Sequence, residues 1–332
     1  MKYQNLLQRI LALALLFALL AGCSTLATQA PTLMPPTSVP TVAVIPSPTQ
    51  TVAPTMDKIW ETKGNPNTFH LPTELALDSQ GKVYVIDGGN HRVQKFDKDG
   101  HFLLMWGSHG AGDGQFLFQA SPAHYGSITV DKDDYVYVTD HHNRVQKFDG
   151  NGTFLMKFGE TGYADGKFAT LYGVAVDAQG NIYTTDWTNY EIQTFSSKGE
   201  FLQKWEVPSC KPGGMSSPYN LVLDEKGQLY IAHHQSNCIQ KFDSQGNLLQ
   251  QWGEIGKGNG QFSKPLSIAL DAEGNVYITD NGNSRIQKFD GKGDFIAAYG
   301  PFDYPVGIAV DPEGYVYVVE IVLGRVQKLR LQ

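Results

Sequence analysis

Cysteine is scarce in this chain. There are three in 332 residues, Cys23, Cys210 and Cys238, and no C-x-x-C pair. Such spacing excludes the common zinc frameworks and the thioredoxin-type redox motif. Basic clusters are missing too. Lys and Arg number 26 against 33 Asp and Glu, and the net charge is −7. Nucleic-acid binders carry a basic stripe, so RNA and DNA are poor partners for this chain. A spanning helix needs roughly 20 apolar residues. The apolar stretch Ile10 to Leu20 has only 11. No side chain stands out as an activated nucleophile with a paired base.

What is present is a repeat. Six segments end in the same way: Val83-Tyr84-Val85-Ile86-Asp87, Val136-Tyr137-Val138-Thr139-Asp140, Ile182-Tyr183-Thr184-Thr185-Asp186, Leu229-Tyr230-Ile231-Ala232-His233, Val276-Tyr277-Ile278-Thr279-Asp280 and Val316-Tyr317-Val318-Val319-Glu320. Their last residues are 53, 46, 47, 47 and 40 positions apart. A period of this size marks a solenoid, a propeller or an array. Each copy holds four short runs rich in β-branched and aromatic residues, as strands are. The runs are joined by D-x-x-G turns such as Asp78-Ser79-Gln80-Gly81 and Asp271-Ala272-Glu273-Gly274. There Asp opens the turn through its side chain and Gly takes the left-handed position. Asp131-Lys132-Asp133-Asp134 superficially suggests a calcium loop, but it lacks the glycine and the terminal glutamate such a loop needs and reads as a turn.

Four antiparallel strands repeated six times predict an all-β, six-bladed propeller. The sixth copy stops after its third strand. Lys58-Ile59-Trp60-Glu61 matches the fourth-strand pattern of Leu104-Met105-Trp106-Gly107. The start of the domain is therefore expected to supply the outer strand of the last blade and close the ring. Residues 57–332 form the propeller. The recurring Gln94, Gln146, Gln193, Gln240, Gln287 and Gln327 read as buried bridges to backbone.

The third-strand segments Asn90-His91-Arg92-Val93-Gln94-Lys95-Phe96 and Asn283-Ser284-Arg285-Ile286-Gln287-Lys288-Phe289 resemble the signature of NHL repeats. Two Gly-rich connectors, Trp106 to Phe116 and Trp252 to Phe262, are similar to those of the same family. The resemblance implies a six-bladed NHL propeller. At the other end, Leu20-Ala21-Gly22-Cys23 follows a basic and then an apolar segment and resembles a bacterial lipoprotein signal. Residues 1–22 are then a signal peptide, and Cys23 is the lipidated residue. Residues 23–56 form a Pro- and Thr-rich tether with no charged residue after Cys23 until Asp57. Such composition favours extended chain over a packed core. The expected location is the outer side of a bacterial membrane, with a lipid anchor as the only membrane contact.

Function is sought where copies depart from the repeat, on the face that carries the second-to-third-strand loops and the interblade connectors (the top face). His141 and His142, then Trp187 and Tyr190, then His233 and His234 form an arc across the second to fourth copies. Tyr172 and Tyr219 follow the inner-strand start in two of them. These eight residues are the candidate contacts for a peptide, protein or glycan, and the propeller is expected to act as a monomeric binding or scaffold module without a cofactor. Cys210 and Cys238 fall on the same face of the fourth copy and are expected to form a disulfide, as export permits.

The alternative is a metal-dependent lyase or lactonase with its site in the central channel. Propeller lyases that amidate peptides bind zinc through His after the inner-strand Pro. The matching positions here are Thr73, Gly126, Tyr172, Tyr219, Leu266 and Val306, none a usual zinc ligand. One residue further on, Glu74 and Asn220 face each other from opposite copies. They faintly resemble the oxygen ligands of calcium lactonases and are the candidate pair for a divalent cation.

Overall fold

The computed structural model describes residues 54–64, 68–118 and 126–332. Cys23, the signal segment and the tether up to residue 53 lie outside the described residues. Among the described residues no helix is long and apolar enough to cross a membrane.

Six four-stranded antiparallel sheets stand as blades around an axis. Blade 1 runs Pro72–Leu77, Val83–Asp87, Arg92–Phe96 and Phe102–Trp106, from the axis outward. The sixth closes as expected. Its three C-terminal strands, Pro305–Val310, Tyr315–Glu320 and Arg325–Leu331, take Met56–Thr62 as their outer strand. Pairing runs from Met56 opposite Leu331 to Thr62 opposite Val326, with one bulge between Lys58 and Trp60. The strand thus starts one residue before the expected 57. Trp60 locks the joint. Its ring meets Tyr317 edge-on at 5.8 Å, and its Nε1 donates to the Lys98 carbonyl of blade 1 at 3.0 Å. The turn glycine Gly100 (φ +86°) lies under that indole, where a Cβ would meet the ring at 3.0 Å.

The turns follow their chemistry. Asp78 Oδ1 accepts from Gln80 N at 3.0 Å and from Lys82 N at 2.9 Å. Asp131 Oδ1 does the same for Asp133 N and Tyr135 N, both at 3.0 Å, so that segment is a turn. The other oxygen serves the blade. Tyr277 Oη donates to Asp271 Oδ2 at 3.0 Å while Lys288 Nζ stands 3.5 Å from the same oxygen and over the Tyr277 ring. This Tyr–Asp–Lys unit recurs in every blade except the third, where Thr194 replaces the lysine and its Oγ1 is left without a partner.

The buried glutamines latch the interblade connectors. Gln146 Oε1 accepts from Gly114 N at 2.9 Å and its Nε2 donates to the Gln115 carbonyl at 2.8 Å. Gln193 and Gln287 repeat the pattern. Apolar side chains from facing sheets fill the space between blades, and the core is therefore a ring of clusters rather than one centre. One further cluster sits on the axis and decides what the channel can do.

Candidate functional site

The inner strands converge on the axis, and the residue after each inner-strand start points into the top of the channel. Tyr172, Tyr219, Leu266 and Val306 meet there and plug it. Tyr172 and Tyr219 pack with ring centroids 4.5 Å apart. Trp187 abuts Tyr172 edge-on at 6.1 Å, and His234 lies 5.5 Å from Tyr219. Neighbouring blades set this depth. Thr139 Oγ1 donates to the Tyr172 carbonyl and Thr185 Oγ1 to the Tyr219 carbonyl, each at 2.7 Å.

This arrangement revises the expected contact surface. Tyr172 and Tyr219 are only 3% and 7% exposed, so they seal the mouth instead of lining an open surface. Trp187 and His234 are half-buried at its edge. His141 and His142 are half-buried on the blade 2 loop, which is held by His142 N to Asp140 Oδ1 at 2.9 Å. Tyr190 takes the left-handed corner (φ 57°) before the third strand of blade 3, and its carbonyl accepts from Val207 N. His233 leaves the arc altogether. It is fully buried within blade 4.

The reason lies in the repeat. In blades 1 and 5 the second strand ends in an Asp that faces the Arg starting the third, Asp87 opposite Arg92 and Asp280 opposite Arg285. That Asp is saturated. Asp87 accepts from His70 N, Asn90 Nδ2, Arg92 Nε and Gln94 Nε2. In blades 2 and 5 the arginine also reaches the preceding connector, Arg144 to the Ala111 and Gln115 carbonyls and Arg285 to those of Gly258 and Gln261. Blade 4 puts His233 opposite Cys238 in the same register. Cys238 is joined to Cys210 of the preceding connector by a disulfide, with Cα atoms 6.5 Å apart. The bond does covalently what arginine does by hydrogen bonding elsewhere. Among the described residues Cys210, Cys238 and His233 are the group close enough to hold a metal. Both sulfurs are committed to the disulfide. Ser217 N donates to His233 Nδ1 at 3.4 Å, and burial lowers the imidazole pKa to about 3. The ring is neutral.

Below the plug sits the second candidate group. Glu74, 6% exposed, spans to blade 4 and takes Asn220 Nδ2 on Oε2 at 2.7 Å. Ser267 Oγ of blade 5 donates to Glu74 Oε1 at 3.1 Å, and Leu75 N donates to the same oxygen at 3.2 Å. Asn220 Oδ1 accepts from Leu221 N at 2.8 Å, which turns the amide nitrogen toward Glu74. The pair therefore presents one carboxylate and one N–H group, not two oxygens, and does not fit a hard divalent cation. Burial, the dominant effect, raises the Glu74 pKa to about 8. The carboxyl is mostly protonated at neutral pH. Ser267, which completes the group, escaped the sequence reading. Its only signal was its place one residue after Leu266, in line with Glu74 and Asn220.

Gly307 makes the room. A Cβ there would stand 2.7 Å from Glu74 Oε1 and 2.9 Å from Glu74 Cα. Gly307→Ala is expected to cost about 1–3 kcal/mol, the usual range for overpacking. Urea unfolding of the variant and of Gly307→Ala/Glu74→Ala measures it. An equal cost in both backgrounds would refute the clash with the Glu74 carboxyl and assign the cost to the Glu74 backbone and Val319.

Residues 69–96 and 262–289, in blades 1 and 5, match the NHL repeat model. The chain is 30% identical over 118 residues to "Protein brain tumor" of Drosophila melanogaster, covering 36% of this chain and 11% of that one. It is 35% identical over 91 residues to "NHL repeat-containing protein 3" of Mus musculus, covering 26% and 24%. The chain thus spans a quarter or less of these relatives. Among solved structures, virginiamycin B lyase from Staphylococcus aureus aligns with TM-score 0.61 at 16% identity, over 84% of this chain and all of that one. A protein of unknown function from Bacteroides thetaiotaomicron aligns with TM-score 0.63 at 17% identity, over 84% and 76%. At such identities the likeness speaks to the fold. Sequence and geometry agree on a six-bladed β-propeller in which blades 1 and 5 match the NHL repeat.

Proposed function

We propose that this propeller is a binding module that presents its top face to a protein or peptide, with lipidated Cys23 and the Pro/Thr tether holding it on the outer side of a membrane. The observation that carries the reading is where the four most exposed large apolar side chains lie, since those on the outer strands are no more than about half exposed. Tyr163 and Met215 are 76% and 63% exposed, Ile255 and Val322 65% and 62%. All lie in interblade connectors or second-to-third-strand loops of the top face, as do Tyr304 and Leu323. Exposed apolar groups on loops around a polar scaffold are typical of interaction surfaces. Half-buried Trp187 and His234 lie inside this rim. The NHL relatives support a protein partner by analogy alone. A metal-dependent lyase or lactonase is disfavoured by the donor set at Glu74 and Asn220.

The test is capture of envelope proteins by crosslinking to the full-length protein. A partner crosslinked by the wild type is expected to be lost with the surface variant Met215→Asp/Tyr304→Asp/Val322→Asp. It should be kept by Tyr135→Asp on the opposite face. Equal capture by the triple variant sinks the top-face assignment.

A further inference from the structure

Blade 4 breaks the repeat at two facing positions, and both changes bring in a side chain that can bind a metal. The second strand ends in Asp87, Asp140, Asp186, Asp280 or Glu320 in the other five blades and in His233 here. The third strand opens on arginine in four blades, on Glu191 in blade 3 and on Cys238 in blade 4. The connector before blade 4 adds Cys210, joined to Cys238. A disulfide by itself gives no reason for a histidine at its side.

Folding gathers these three residues. One ring nitrogen of His233 and the two sulfurs all lie within 4.8 Å of one another. Cys210 and Cys238 are 28 residues apart, so the group is built by the fold and not by a local motif. His233 and Cys238 are fully buried, and Cys210 is half-buried. Opening the disulfide leaves two thiols beside a neutral imidazole, a donor set that suits zinc. The distances are close to what zinc requires. Zn–S bonds of about 2.3 Å at a tetrahedral angle put the sulfurs about 3.8 Å apart, roughly 2 Å further than in a disulfide. The Cα separation of 6.5 Å lies near the long end of the disulfide range of about 4.4–6.8 Å, which leaves room for that step. No strand lies between Glu206 and Pro218, so the connector that carries Cys210 can follow.

Charge and hydrogen bonding point the same way. Two thiolates and Zn²⁺ sum to zero in a buried place, whereas a monovalent ion leaves an unpaired negative charge there. Gln240 hydrogen-bonds the imidazole, and such a partner orients a ligand histidine. The bond from Ser217 N to His233 Nδ1 is long at 3.4 Å, so that lone pair can turn to a metal.

We propose that in its reduced state blade 4 binds one zinc ion through Cys210, Cys238 and His233, with a fourth position open on the Cys210 side. The disulfide is the oxidised form of the same site. A dithiol reductant passes two electrons and two protons to the bond and itself becomes a disulfide; zinc then displaces both thiol protons as it binds. Half-buried Cys210 gives reductant and metal their access. The site needs no partner protein and does not depend on the top-face reading.

The test uses full-length protein carrying Cys23→Ser, so that Cys210 and Cys238 are the only thiols. It is reduced with a phosphine, desalted without oxygen, and titrated with cobalt chloride and then zinc chloride. The strong visible bands of a tetrahedral cobalt–thiolate complex should saturate at one equivalent and vanish with one equivalent of zinc. Zinc affinity, measured by competition with a chromophoric chelator, should be at least tenfold weaker in the oxidised protein and in reduced His233→Asn. No one-to-one binding by the reduced protein overturns the proposal, as does equal affinity in the oxidised protein. Equal affinity in folded His233→Asn does so too, since it leaves a bare dithiol. Should that variant misfold, X-ray absorption of the wild-type zinc complex decides. Two sulfurs and an imidazole nitrogen are expected; sulfur and oxygen alone sink the site.

Discussion

Raising the pH from 4.5 to above 8 should destabilise the wild-type propeller by about 4–5 kcal/mol relative to Glu74→Gln. The Glu74 pKa stands near 8 in the fold against 4.5 for the free side chain. The folded state therefore holds a proton that the unfolded chain has released. Below pH 4.5 both states are protonated and the full stability is present. Between 4.5 and 8 folding must take up a proton, and stability falls with pH. Above 8 the loss is complete. At about 1.4 kcal/mol per unit, a difference near 3.5 units sets the stated size. Urea unfolding at pH 4.5, 6.5 and 8.5 measures it. Parallel profiles for wild type and Glu74→Gln would contradict the burial argument.

His233 acts in the opposite direction. Its pKa is lowered to about 3 from 6.5 by burial. The stability it contributes is present above 6.5 and lost as pH falls toward 3, because the unfolded chain takes the proton first. Between 4.5 and 6.5 the two slopes cancel. Wild-type stability should change least there and fall on both sides, with His234, whose pKa burial also lowers, adding to the acid limb. Glu74→Gln should remove the alkaline limb, and His233→Asn should weaken the acid one.

Much of this fold could be read from residue order. The D-x-x-G spacing, the third-strand glutamines and the match of Lys58-Ile59-Trp60 to an outer strand are local patterns, and local hydrogen bonding realises them. The site was harder to read for a definite reason. Tyr172, Tyr219, Leu266 and Val306 come from four separate inner strands and become a plug only where those strands converge. No window of sequence holds that depth, so tyrosines that look like surface aromatics turn out to seal the axis. Glu74, Asn220 and Ser267 likewise join across three blades. The direction of the Asn220 amide depends on the N–H of Leu221, which a residue list cannot show. His233 looked like one more histidine of the arc. The repeat aligns it with the strand-ending aspartates, but only the fold shows it buried opposite Cys238 instead of an arginine.

That register also governs what the disulfide is worth. Cys210 and Cys238 are 28 residues apart, and crosslinking a loop of this length removes about 3–4 kcal/mol of unfolded-chain entropy. Cys210→Ser/Cys238→Ser is expected to lose that much stability. The loss should be local in its first consequence. Without the bond, the middle of the connector before blade 4 is held by the Cys210 carbonyl, which accepts from Gln251 Nε2 at 2.9 Å, and the Pro208 carbonyl, which accepts from Gln240 Nε2 at 3.2 Å, while Val207 N on Tyr190 O and Ser236 Oγ on the Met215 carbonyl tie its two ends. The glycine-donated bond that fixes the glutamine Oε1 in blades 2, 3 and 5 has no counterpart there, because no connector N–H reaches Gln240 Oε1. Amide exchange should therefore quicken first in residues 207–217, ahead of the strands of blade 4. Restoring the pattern of the other blades by His233→Asp/Cys238→Arg in the Cys210→Ser background should recover part of the stability. If the bond does the work of the arginine, the rescue appears without any thiol. If the rescued protein is no more stable than the double serine variant, blade 4 depends on the crosslink for a reason other than the lost arginine clamp.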